Sequence, residues 1–569
     1  MLNAGVCAPG SPVERSWTAT CPNEIPAALE IVPRPLHALL EQAVERFPEH
    51  RFLEFQGKIW TYAQVGHLVE RTARGLQRLG VGRGTRVGLF LPNCPYFVIG
   101  FFAALRIGAT VVSYNTLYAV PEIERQVQDS GTEVMLTLDV EALLPKLKPL
   151  LERTSLRTIV VGRLADLLPF PKSLMFPLIK RREIADVPNH RAYIWFNELI
   201  AGETPPAPEF VDPLSDIAAL QYTGGTTGVP KGAALTHYNL LANAEQMAAW
   251  HPQAAPGGER MLAVLPLFHV FAMTCAMLHS LCIGAEILLV PRFDLTNLLG
   301  TISRKRPTIL PGVPTLFGAI SRYPRLAKYD LSSLRLCISG GAPLPGEVRQ
   351  AFEAVAGCPI VEGYGLTESP VVTCNPIGGA TRPGSIGLAL PNTTIEIVAP
   401  GDRKTLLPEG EIGEICVRGP QVMAGYWRRP DETAQTLIDG RLHTGDLGYL
   451  DGDGHCFLVD RLKELIICSG YNVYPRIVEE AIYQHPAVLE AAVVGAPDGY
   501  RGETVLACIV LREGASLSEA ELVEFLEKRL SPIEMPRQIE FRHSLPKSAI
   551  GKILKKELRW EGLEDGAAA

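Results

Sequence analysis

YTGGTTGVPKG, residues 222–232, decides how the rest of this 569-residue chain is read. Three glycines and three threonines precede Lys231, and Pro230 stiffens the turn beside it. Successive small residues let backbone N–H groups converge on anionic oxygens, and the threonine hydroxyls add donors. The lysine supplies a compact cation suited to polyphosphate. The binding candidates here are Thr223, Gly224, Gly225, Thr226, Thr227, Gly228 and Lys231. The loop is not of the G-x-x-x-x-G-K-[ST] type. Val229 and Pro230 stand where the second glycine would fall, and Gly232 follows the lysine. A solvated Gly/Thr loop is the plainer reading. The length of the run weighs against it, as does its setting between strand-like DIAALQY (216–222) and helix-like THYNLLANAEQMAAW (236–250).

Outward from the loop, strand-like and helix-like segments alternate from about 50 to 460. RVGLFLP (86–92), AEILLVP (285–291), PTILPG (307–312) and LRLCISG (334–340) are the clearest strands. Such alternation predicts parallel sheets covered on both faces, with ligands beyond the strand C-termini. The phosphate loop, GGAPLP (340–345) and EGYGLTES (362–369) each follow a strand-like segment, which would bring them to one crevice. Near 380–460 the texture turns β-rich (TIEIVA, GEICVRG, DGDGHCFLVD), and from about 464 a small end reads strand, helix, strand, strand, helix. The expected fold is α/β. A large N-terminal domain (1–459) of doubly wound parallel sheets includes a small β-barrel-like part. A polar hinge, DRLKE (460–464), leads to a small mobile α+β C-terminal domain (465–569).

Composition narrows the function classes. With 54 basic against 61 acidic residues and no long basic cluster, nucleic acid is not an expected partner. The 12 cysteines show no CxxC and no metal-like spacing, which reads as buried thiols in a reducing compartment. MLNAGVCAPG carries no secretory signal pattern. Two apolar runs, 97–114 and 270–290, contain Arg106 and His279 with Glu286, so each fits a buried helix, a glycine break and a strand rather than a membrane span. LLPFPKSLMFPLIKRRE (167–183) sets apolar residues beside a basic cluster. That suits either a membrane interface or a loop packed on its own domain.

Taken in order, these motifs resemble those of the adenylate-forming enzymes: acyl- and aryl-CoA ligases, luciferases and peptide-synthetase adenylation domains. The resemblance runs from about 35 to 560. It implies an adenine pocket walled by Gly341, Ala342 and Pro343 and by Glu362, Gly363, Tyr364 and Gly365, with the Tyr364 ring stacking on the base. Thr367 would lie beside the α-phosphate, and Glu368 would hold Mg²⁺. Asp446, after a tight glycine turn in HTGD (443–446), would accept from the ribose hydroxyls, and Arg461 would reach the same sugar. Lys463 occupies the family's hinge position and Gly470 the place where the pantetheine arm of coenzyme A passes. In LPKSAIGKILKKEL (545–558), Lys552 matches the catalytic lysine, whereas Lys547, Lys555 and Lys556 read as solvated. His269 in LPLFHVFAMT would stand next to the acyl carboxylate, with the apolar stretch after it lining the acyl pocket. Catalytic roles would fall to Lys552, Thr223, Glu368 and His269.

The implied reaction joins ATP and a carboxylic acid into an acyl-adenylate, then passes the acyl group to coenzyme A. Details of EGYGLTESPVVTCNP and GPQVMAGYWRRPDET (419–433) most resemble bacterial fatty-acyl-CoA ligases of long- or medium-chain type. Arg441, Ile477 and Glu534 depart from that pattern. Ligases for dicarboxylic or aryl acids, an acyl-AMP ligase and a non-enzymatic binding homologue are the alternatives. The last is disfavoured because Lys231, Glu368 and Lys552 are all present. A cytoplasmic location is expected, with peripheral contact at the inner membrane face and a homodimer left open.

Overall fold

The computed structural model describes residues 24–558 except 203–204, 224–229, 380, 469–470, 499–500 and 550. Gly224, Gly225, Thr226, Thr227, Gly228 and Gly470 therefore lie outside the described residues.

An eight-stranded sheet runs in the order Gly425–Tyr426, Lys231–Thr236, Ile217–Thr223, Thr110–Ser113, Arg86–Leu89, Val134–Leu138, Thr158–Gly162 and Tyr193–Trp195. It is parallel from Ile217–Thr223 onward. A 14-stranded sheet has a parallel centre of Arg51–Phe55, Glu286–Leu289, Arg260–Ala263, Ile309–Gly312, Leu336–Ser339 and Ile360–Leu366. The β-rich stretch, expected as a small barrel-like part, continues this sheet through antiparallel pairs out to Thr394–Val398. Its hydrogen-bonded order among the described residues is an open path.

Both apolar runs fold inside the protein. The helix Pro95–Arg106 is buried at every residue up to Leu105, as expected of a helix apolar all round, and Thr110–Ser113 follows it as a strand. The second run is helical from Val270 to Ile283, with a six-residue π-helical stretch at Met273–Leu278. Gly284 ends it in the left-handed conformation, and the strand Glu286–Leu289 follows. No helix among the described residues is long and apolar enough to cross a membrane.

One continuous core extends from Ile25 to Cys456. Beyond it the strands Val488–Asp498 and Gly502–Leu511 pair within a separate five-stranded sheet that carries a core on each face. Val493, Val505 and Ala507 point to the face covered by the helices Pro475–Tyr483 and Glu519–Glu527. Val494, Leu506 and Cys508, their alternate neighbours, point to the other face, where Leu545, Ile553 and Leu558 pack. The lysine-rich tail is thus anchored by its own apolar residues.

Candidate active site

The phosphate loop joins two strands rather than a strand and a helix. Ile217–Thr223 pairs antiparallel with Lys231–Thr236, placing Thr223 directly opposite Lys231. The apolar AALT of the second strand continues the sheet before Thr236 caps the helix His237–Ala249 through a capping box with Asn239. The hairpin is clamped from a distance. Tyr222 donates to Asp129 Oδ2 at 2.6 Å, and Asp129 also receives Arg429 at 2.7 Å and the Trp427 indole N–H at 3.2 Å.

Next to Trp427, Tyr426 lies in a short strand paired with Ala233. Its ring lies under the Lys231 ammonium, 5.2 Å from Nζ, and its hydroxyl donates to Glu368 Oε1 at 2.5 Å. Burial and the Glu368 charge raise the phenol's pKa, so it stays protonated and donating. Tyr426 thereby links the loop lysine to the carboxylate assigned to a metal, residues 137 positions apart. Nothing in the local sequence singles out this tyrosine. Thr367 and Glu368 form the turn between Ile360–Leu366 and Ser369–Cys374.

EGYGL is itself strand, unlike the loop expected after a strand. Ile360–Glu362 end the parallel pairing with Leu336–Ser339, and from Gly363 the same strand turns to antiparallel pairing with Ser369–Cys374. Tyr364 consequently projects just beyond the end of the parallel centre, where such folds bind ligands. A Cβ on Gly365 would lie 1.9 Å from the Pro370 carbonyl oxygen, so no side chain fits there. Glu362 accepts the Leu344 N–H at 3.0 Å, fastening GGAPLP to this strand, and burial lifts its carboxyl to about 7.

Tyr364 donates to Asp446 Oδ2 at 2.6 Å, and Arg461 Nε meets Asp446 Oδ1 at 3.1 Å. Asp446 and Arg461 are cross-strand partners, so sheet register alone brings the pair together. HTGD forms no turn. It lies within the strand Arg441–Leu450, kinked at Gly445, whose φ is +73°. Buried Glu414 secures the kink by accepting the Gly445 N–H at 3.0 Å and facing His443 Nδ1 at 2.7 Å. Cys416 Sγ lies 3.3 Å from that nitrogen, a Glu–Cys–His cluster invisible in sequence spacing.

From the C-terminal part, Lys552 enters the cavity that Gly341, Ala342, Pro343, Glu362, Gly363, Tyr364, Gly365, Asp446 and Arg461 line. Ser548 and Lys552 exchange hydrogen bonds across the turn, and the Thr315 hydroxyl contacts the Gly551 carbonyl at 3.4 Å. Burial, and next the Arg461 charge, lower the Lys552 ammonium to about 8. His269 is depressed to about 4 by burial, with the Lys552 charge adding to it. Its Nδ1 accepts the Phe271 N–H at 3.3 Å, which leaves the proton of the neutral ring on Nε2.

Two expectations about lysines need correction. Lys555 bridges Glu479 at 2.7 Å and Glu464 at 3.3 Å, which raises its pKa, and Lys547 pairs with Glu490 at 2.5 Å. Neither is merely solvated, because the tail packs on the small sheet rather than trailing into water. Lys556 is exposed. Lys463 lies on an exposed turn and does not line the cavity. Arg476, which sequence reading passed over, binds Glu480 at 2.9 Å, and its backbone N–H reaches Asp460 at 2.9 Å.

A cleft between a large α/β part and a small lysine-bearing part, walled by an aromatic ring and an Asp–Arg pair, is suited to a nucleotide. The family described as AMP-binding enzyme matches residues 40–427, and the AMP-binding enzyme C-terminal domain matches residues 477–552. The chain belongs to this family of AMP-binding enzymes. It is 42% identical over 557 residues to the long-chain-fatty-acid–CoA ligase of Bacillus subtilis (strain 168), covering 97% of this chain and 99% of that one. It is 38% identical over 560 residues to the enzyme of that name from Salmonella typhimurium, covering 96% and 98%. Among solved structures, ATP-bound MatB from Rhodopseudomonas palustris superposes with a TM-score of 0.81 at 29% identity, covering 93% and 99%.

Proposed function

We propose that this chain is an AMP-forming fatty-acid–CoA ligase acting on long-chain acids. One observation carries the reading: Lys552, delivered by the small C-terminal part, shares a cavity with Tyr364, Asp446 and Arg461. In the first step a carboxylate oxygen attacks the α-phosphorus of ATP, and the bond to the pyrophosphate oxygen breaks. Lys552 stabilises charge developing between the carboxylate and the α-phosphate, while Lys231 holds the outer phosphates. Tyr364 stacks on adenine, and Asp446 with Arg461 holds the ribose. In the second step the coenzyme A sulfur attacks the acyl carbon, AMP leaves with the bridging oxygen, and the thiol proton is lost.

Glu368 fits a magnesium ligand. Its Oε1 is oriented by Tyr426, and its Oε2 accepts no hydrogen bond from the described residues. The ion, when bound, would neutralise phosphate charge. His269, neutral at working pH, offers Nε2–H to the acyl carboxylate, and the buried stretch Met273–Leu278 supplies apolar wall. The division into 1–459, the hinge 460–464 and 465–569 is supported by the separate cores on either side of it. Rotation about Lys463 would withdraw Lys552 and admit the thiol past Gly470. We infer a cytoplasmic site of action, and peripheral contact is taken up below.

Pyrophosphate release across C4 to C18 acids, with and without coenzyme A, tests the proposal. Turnover that requires coenzyme A and peaks at long chains supports it. Stoichiometric release indifferent to coenzyme A would assign the chain to acyl-AMP ligases, and a preference for aryl or dicarboxylic acids would move the substrate class.

A further inference from the structure

Phe170, Leu174, Met175, Leu178 and Ile179 expose 79, 66, 48, 81 and 66% of their surface. Four of them belong to the helix Lys172–Ile179, which buries no residue at all. A contiguous exposed apolar patch of this kind marks an interaction surface. Its base is fixed: Leu167 is buried, Leu164 and Leu168 pack on the large core, and the Lys172 ammonium reaches the Gln56 carbonyl at 3.5 Å. The patch is thus a projection anchored on the large part of the protein.

Charge selects the occupant. Residues 170–183 hold Lys172, Lys180, Arg181 and Arg182 against Glu183 alone, an excess of positive charge in a chain whose net charge is −7. Lys180 engages Glu183 at 2.5 Å, while Arg181 and Arg182 are exposed and make no ion pair among the described residues. A second copy of this chain is a poor fit. A two-fold contact would bring two positive patches together, and one short helix falls far below the roughly 800 Å² per partner of a stable interface. Apolar side chains flanked by unpaired arginines match the boundary of an anionic bilayer instead.

We propose that this segment docks the enzyme on an anionic lipid surface, with Leu178 and Ile179 entering the acyl boundary and Arg181 and Arg182 meeting lipid phosphates. The proposal is independent of which acid is activated. It is tested with the full chain by co-sedimentation with vesicles of phosphatidylcholine alone or mixed with phosphatidylglycerol. The expected result is binding to the anionic vesicles, weakened by salt and lowered at least about tenfold in the Leu178→Ser/Ile179→Ser and Arg181→Ala/Arg182→Ala variants. All four positions are exposed and none lines the cavity, so Tm and pyrophosphate release with a short soluble acid should stay unchanged. Vesicle binding that is absent in the unaltered chain, or equal in both variants, overturns the proposal. So does light scattering that shows a dimer broken by these variants without vesicle binding, which would give the patch to a second copy.

Discussion

The phenol of Tyr364 donates to Asp446 Oδ2 at 2.6 Å, tying the residue proposed to stack on adenine to the one proposed to hold the ribose. Arg461 occupies the other oxygen of the same carboxylate. The residues proposed for base and sugar recognition are therefore one hydrogen-bonded unit.

Tyr364→Phe keeps the ring and removes the donor. A hydrogen bond to a charged acceptor contributes about 1.5–3 kcal/mol, so the Kd for ATP should rise roughly tenfold or more. Tyr364→Ala, which also removes stacking, should raise it further. Titration calorimetry with ATP checks both, and equal affinity in Tyr364→Phe would dissolve the unit.

Lys552→Ala should slow adenylate formation by about 10²–10³ while sparing thioester formation from supplied acyl-adenylate. Its ammonium is lowered to about 8, so the charged form is present below that pH and lost above it. The kcat/KM of pyrophosphate release should accordingly fall as pH rises through about 8. Lys552→Arg should move that fall upward. A profile that Arg leaves unmoved would assign the titration to another group.

Tyr426→Phe retains the ring beneath Lys231 but frees Glu368 Oε1. Loss of one orienting hydrogen bond should lower kcat by about tenfold and raise the magnesium concentration for half-maximal rate. A magnesium titration identical to that of the unaltered chain would show that Glu368 needs no such support.

Gly365→Ala forces a Cβ onto the Pro370 carbonyl, 1.9 Å away. The hairpin that carries Tyr364 and Glu368 must then separate, which should destabilise by about 1–3 kcal/mol or more. A lowered Tm together with weakened ATP binding is expected; an unchanged Tm would mean that the turn relaxes freely.

Short-range chemistry made much of this legible in the sequence. The strands around 86–92, 285–291 and 334–340 are apolar runs bounded by turn residues, and each appears near its expected place. The two membrane-like runs resolve correctly because a charge or a glycine interrupts each. The strand Lys231–Thr236 was not legible, since AALT reads equally well as a strand or as the approach to a helix until pairing partners exist. Lys547 and Lys555 misread as solvated because their glutamate partners lie 57 and 76 residues or more away in sequence.

By itself the sequence determined the ordered set of motifs proposed to meet phosphate, adenine and ribose, and the alternating architecture that carries them. Those depend on residue type and local period, which every segment holds within itself. Tertiary structure alone decided that Tyr364, Asp446 and Arg461 form one unit, that Tyr426 links Lys231 to Glu368, and that the helix Lys172–Ile179 stands exposed. Contacts of that kind arise from sheet register and from which surfaces remain uncovered once the chain has packed, and no single segment encodes either.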